Sequence, residues 1–103
     1  MMGLGMSLEE GLSLVAHVQV VALYDLHDGR IKHLHMVTTL SGATPVTPNE
    51  AILAAKRRAS RHTANVEDLG VALSNDAEHG LLPHYIDART KAFVPLLDRK
   101  SIE

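Results

Sequence analysis

Two β-prone stretches flank one short turn, and their pairing constrains what the rest of the chain can form. Residues 14–25 read Leu-Val-Ala-His-Val-Gln-Val-Val-Ala-Leu-Tyr-Asp, and residues 30–40 read Arg-Ile-Lys-His-Leu-His-Met-Val-Thr-Thr-Leu. β-Branched residues recur through both, as strands require. Between them lies Leu26-His27-Asp28-Gly29, and Gly29 supplies the positive φ that a tight hairpin loop needs. A three-residue loop, His27-Asp28-Gly29 with a bulge at Gly29, pairs Leu26 with Arg30 and sorts side chains by polarity. One face then carries Ala16, Val18, Val20, Ala22 and Tyr24 beside Leu34, Met36, Thr38 and Leu40. The other carries Val15, His17, Gln19, Val21 and Leu23 beside Ile31, His33, His35, Val37 and Thr39.

The remaining elements follow from local signals. Thr47-Pro48-Asn49-Glu50 combines an N-cap, a proline at the first helical position and a Glu three residues past the cap. It predicts a helix from Pro48 to about Ala64, with Ile52, Ala55 and Ala59 on one stripe and Ala51 beside it. Alanines there let a helix lie close to a sheet. Leu69 to Ser74 reads as a third strand running parallel to the second after a right-handed crossover. Asn75 to Pro83 reads as a loop. His84–Asp87 and Ala92–Leu96 read as a second hairpin, in which Pro95 marks an edge. The expected fold is α+β: a mostly antiparallel sheet of four to five strands with one helix packed on one face, in the order β-β-α-β-β(-β). Residues 1–13 read as a lead-in with a helical turn at Ser7–Leu12, residues 14–97 as a single domain, and residues 98–103 as a loose tail.

Composition bounds the function classes. The chain has 103 residues, which suits one domain with one modest core, and 46% of them are hydrophobic. It has no cysteine, so disulfides, thiolate zinc sites, iron–sulfur clusters and a cysteine nucleophile are excluded. Two tyrosines and one phenylalanine are too few for a base-stacking platform. No apolar run reaches membrane-helix length, and Met1 to Glu10 lacks a basic signal region, so the expected compartment is the cytoplasm. The motifs of P-loop, dinucleotide-binding, zinc-protease and serine-hydrolase enzymes are missing, so the reading leans away from an enzyme and implies no cofactor.

Seven histidines stand out. His33 and His35, two apart on a strand, point the same way, as metal ligands or a general base do. No third ligand is legible: His17, on the same face, pairs with Thr39, four residues along the strand from His35. His79 and His84 flank a loop in no known metal spacing. His33 and His35 remain weak candidates, and no metal is assigned.

One helix covers one sheet face. The reading leaves Val21, Leu23, Ile31, His33, His35 and Val37 on the other, as an apolar, histidine-bearing surface of the kind that mediates contacts. A homodimer is its simplest cover, with the chain termini as the other. The function expected first is therefore a non-enzymatic interaction or ligand-binding module acting as a homodimer. An alternative uses the basic helix. Residues 30–61 carry six basic side chains and one acidic one, against a net charge of −2 for the chain. Arg57, Arg58 and Arg61 lie on one broad side and can bind phosphates, although cations there also complement the helix dipole. Without interleaved aromatics, nucleic acid is the less favoured anion. A second alternative is a metal- or histidine-dependent enzyme centred on His33 and His35.

Overall fold

In the computed structural model, residues 15–96 are described. The proposed turn at Ser7–Leu12 and the tail from Asp98 lie outside them. The first hairpin forms as its pattern dictates, with β1 (Val15–Tyr24) antiparallel to β2 (Ile31–Leu40). His17 pairs with Thr39, Gln19 with Val37 and Leu23 with His33, which is the expected register. The turn differs. The Asp25 amide donates to the Arg30 carbonyl at 2.9 Å and the Gly29 amide to the Asp25 carbonyl at 2.8 Å, so four residues span the loop. Asp25 Oδ1 accepts from the His27 amide and Asp28 Oδ1 from the Arg30 amide, a carboxylate-built turn that needs no shorter loop. The irregularity falls inside β2, where Tyr24 pairs with Ile31 but Leu23 with His33. Lys32 is the extra residue. This bulge turns Ile31 onto the face of Ala22 and Tyr24, opposite to the face the sequence predicts for it.

The helix α1 (Pro48–Ala59) starts as its capping box specifies: the Glu50 amide donates to Thr47 Oγ1 and the Thr47 amide to Glu50 Oε1. It is shorter than expected. Ser60 donates its hydroxyl back to the Arg57 carbonyl at 2.7 Å, and single turns carry the chain to Thr63. Asn65 adopts a left-handed conformation before a 3-10 turn, Val66–Asp68. Ala51, Ala55 and Ala59 are fully buried, and their small side chains set α1 close against Val21 and Leu23.

That packing reverses the expected layering. The helix covers the odd-numbered face, and Val21 and Leu23 have no exposed surface within the single chain. Val37 packs against the same cluster. The surface expected to await a dimer partner is thus filled by the chain's own helix. Gln19, buried on this face, donates its side-chain amide to the Val46 carbonyl and so ties β1 to the segment leading into α1.

β3 (Gly70–Ser74) pairs antiparallel with β1, giving the order β2-β1-β3. It runs parallel to β2, as the crossover predicts, but on the far side of β1. A short helix, α2 (Glu78–Leu81), occupies part of the expected 75–83 loop. β4 (His84–Asp87) and β5 (Ala92–Pro95) form a separate two-stranded sheet. The single sheet of four to five strands is therefore replaced by a three-stranded sheet and a hairpin. The hairpin lies across the even-numbered face, where Ile86 and Phe93 meet Ala22, Tyr24 and Ala72. Four-residue strands flanked by Pro83 and Pro95 stop early, so the hairpin serves as a cover instead of extending a ladder. The Ile86 amide donates to the Gly29 carbonyl at 2.8 Å and fixes β4 onto the first turn.

This cover is partial. Leu34, Met36 and Leu40 on β2 remain 36%, 39% and 52% exposed, on the side away from α1. β2 is also an outer strand.

Candidate anion-binding site

Ala54, Arg57, Arg58 and Arg61 are three or four residues apart on α1 and its C-terminal turn, so they form one continuous side of it. The adjacent side carries the buried alanines that seat α1 on the sheet. This places the arginines over β2, next to the odd-numbered side chains of that strand. A groove of about 360 Å³ opens there, lined by His35, Ala54, Arg57, Arg58 and Arg61. The methyl group of Ala54 leaves the space.

His33 and His35 share this side of β2 and are both half-buried. Burial, reinforced by the positive charges of His62 and Arg58, pushes the His33 imidazole below its ordinary value near 6.5. Burial, Arg58 and then His33 do the same to His35. Both rings are therefore neutral near pH 7. The Nε2 atom of His33 is buried without a hydrogen-bond partner, so that atom is closed to a metal ion or a substrate in this conformation.

The charge around the groove is one-sided. Lys56 donates to Glu67 Oε1 at 3.0 Å, and Arg30 lies 4.0 Å from Asp28. Among the described residues, no ion pair involves Arg57, Arg58 or Arg61. A larger depression of about 620 Å³ lies near the first turn, but Asp25 and Asp68 line it together with Lys32, so it selects no charge sign.

The other sequence-predicted residues separate. Val21, Leu23 and Val37 belong to the core under α1, and Ile31 to the core under β4 and β5. Among the described residues, no group of three or more histidine or carboxylate side chains is placed to hold a metal ion. His79 and His84 lie together on the other side of the molecule. The His79 ring stacks on Phe93 at 4.6 Å and meets His84 edge-on at 5.0 Å. Ser74 Oγ lies 2.6 Å from His79 Nδ1, and Asp76 Oδ2 lies 3.8 Å from His79 Nε2. Ser74 Oγ also accepts the Asp76 amide, and Asp76 Oδ1 accepts the Glu78 amide. These bonds close the turn that leads into α2.

Sequence reasoning treated His33/His35 and the helix arginines as separate candidates and missed that they meet. The signal lay in the alanine stripe: Ala51, Ala55 and Ala59 fix which side of α1 faces the sheet. What the alternation of the strands did not show is which sheet face receives it.

Comparison with known proteins returned no match from family models, curated proteins or solved structures. Among the described residues, no helix is long and apolar enough to cross a membrane.

Proposed function

We propose that the chain is a non-enzymatic binding module that takes an anionic partner in the groove between β2 and α1. The observation that carries this reading is the convergence of Arg57, Arg58 and Arg61 with His35 on one groove, with no carboxylate among the described residues paired to any of the three arginines. Dipole complementarity accounts for cations in the last turn of a helix. It does not account for His35 facing them across the groove. Arginine forks suit phosphate and carboxylate oxygens, which they grip in pairs of hydrogen bonds.

Inorganic pyrophosphate is the simplest probe. Titrated into isotope-labelled protein, it is expected to shift the amide resonances of His35 and of residues 54–61, with affinity falling steeply as salt is added. The double variant Arg57→Glu, Arg61→Glu should lose at least tenfold in affinity while keeping its melting behaviour. Equal affinity in that variant, or shifts confined to other residues, would overturn the reading.

Homodimerisation is a second reading, favoured by one observation: Leu34, Met36 and Leu40 are exposed together on an outer strand. Pairing two copies there sets two basic grooves side by side, so the dimer should strengthen with salt or a shared anion. A monomer by light scattering at both low and high salt removes it.

A further inference from the structure

The edge of β2 has two unlike flanks. Toward α1 it presents His35, which lines the groove with Arg57, Arg58 and Arg61, and His33 within reach of the Arg58 charge. Away from α1 it presents Leu34, Met36 and Leu40. Between the flanks runs the ten-residue strand itself, outermost in the order β2-β1-β3. Among the described residues no strand pairs with its outer side, and such an edge offers its free amides and carbonyls to an incoming chain.

The geometry points to an extended peptide segment of a partner protein, with acidic and apolar side chains alternating, that adds to the open edge of β2 as a fourth strand. This rests on the anionic-partner reading of the groove and names the partner. Successive side chains of a strand fall on opposite faces, so an added strand places every second residue beside the arginines and the others beside the leucines and methionine. Complementarity then sets the sequence type: carboxylates on the first face, aliphatic groups on the second. The spacing agrees. Same-face residues of a strand repeat about every 6.6 Å, and Arg57 to Arg61 covers about 6 Å of helix axis, so two neighbouring acidic positions meet the arginine cluster together.

The other outer strand is a poorer template. β3 has five residues, and none of them is charged. A second copy fits the β2 edge less well than an acidic partner, because like charges on the two grooves would face each other.

The test uses labelled full-length protein and three blocked eight-residue peptides. One alternates Asp and Val, one has the same composition with the four Asp residues contiguous, and one is the alternating peptide with its backbone nitrogens methylated on one edge. The alternating peptide is expected to shift amides along Ile31–Leu40 and to show cross-strand contacts to that strand. The contiguous and methylated peptides should each bind at least tenfold more weakly. Arg57→Glu with Arg61→Glu should weaken both the alternating peptide and pyrophosphate. Leu34→Lys should weaken the peptide alone, which separates the strand from simple charge attraction.

Equal binding of all three peptides would overturn the added strand while leaving the anion groove standing. Failure of both peptide and pyrophosphate would remove both. Protection of the β2 outer amides without peptide would also overturn the proposal, assigning the edge to a second copy if the mass doubles and to the chain's own terminal residues if it does not.

Discussion

Gly29 illustrates how one residue can carry two separate constraints. Its φ of +77° places it in the left-handed region, and an added Cβ would collide with the Ile86 carbonyl oxygen. The positive φ alone costs a larger residue about 1 kcal/mol or more. The clash is with backbone, so β4 must move away. Gly29→Ala is therefore expected to lower the melting temperature by at least about 5 °C in thermal denaturation. An unchanged melting temperature would show that β4 does not rest on this turn. His33 poses the opposite case. Its buried, unpartnered Nε2 carries a desolvation cost of about 1–3 kcal/mol that no hydrogen bond offsets. His33→Leu should leave stability unchanged or raise it by about 1 kcal/mol, read from urea unfolding. A loss of more than about 1 kcal/mol would mean that the ring has a partner.

At the scale of elements, the closeness of α1 to the sheet depends on three alanines with no exposed surface. Interiors are packed to crystal-like density, so the isopropyl group that leucine adds to an alanine methyl has nowhere to go. Ala55→Leu is expected to destabilise by about 1–3 kcal/mol and to displace α1 from the groove, weakening pyrophosphate binding as well. Ala54→Leu, on the groove wall, should instead block binding with little change in stability. Measuring both variants separates packing from site occlusion. Three elements were legible in the chain because their signals are local: the capping box for α1, the alternation and turn for the first hairpin, short strands bounded by prolines for the second; the four-residue α2 was read as loop. The layering was not. Both faces of the first hairpin carry enough apolar groups to receive a helix, and polarity sorting favoured the wrong one. The histidines made the odd face look wet, whereas they flank its margin and Val21 and Leu23 fill its centre. The site was hidden for the same reason, because His35 meets the arginines only once that face is chosen.

For the molecule as a whole, the two half-buried histidines set an acid limit. Their folded-state values lie below the ordinary imidazole value near 6.5. As pH falls through 6.5, the unfolded chain takes up protons that the folded chain resists, so stability declines. The decline ends once pH passes below the folded-state values. A bound anion favours the imidazolium form of His35, so pyrophosphate should bind more tightly below pH 6.5 and offset part of that loss. Chemical denaturation at pH 7.5 and 5.0, with and without pyrophosphate, checks both signs. A stability that rises on acidification without ligand would contradict the placement of His33 and His35 beside Arg58.

The hydrogen bond from the Ile86 amide to the Gly29 carbonyl has a kinetic meaning as well. Its partners are 57 positions apart in the chain, yet it joins the turn of one hairpin to the first strand of another. The first hairpin is built from near neighbours and can form early, whereas this contact closes a long loop and must wait for it. The exchange rate of the Ile86 amide proton therefore times the docking of the second layer. It reports when the even-numbered face is capped, independently of whether α1 has seated on the opposite side.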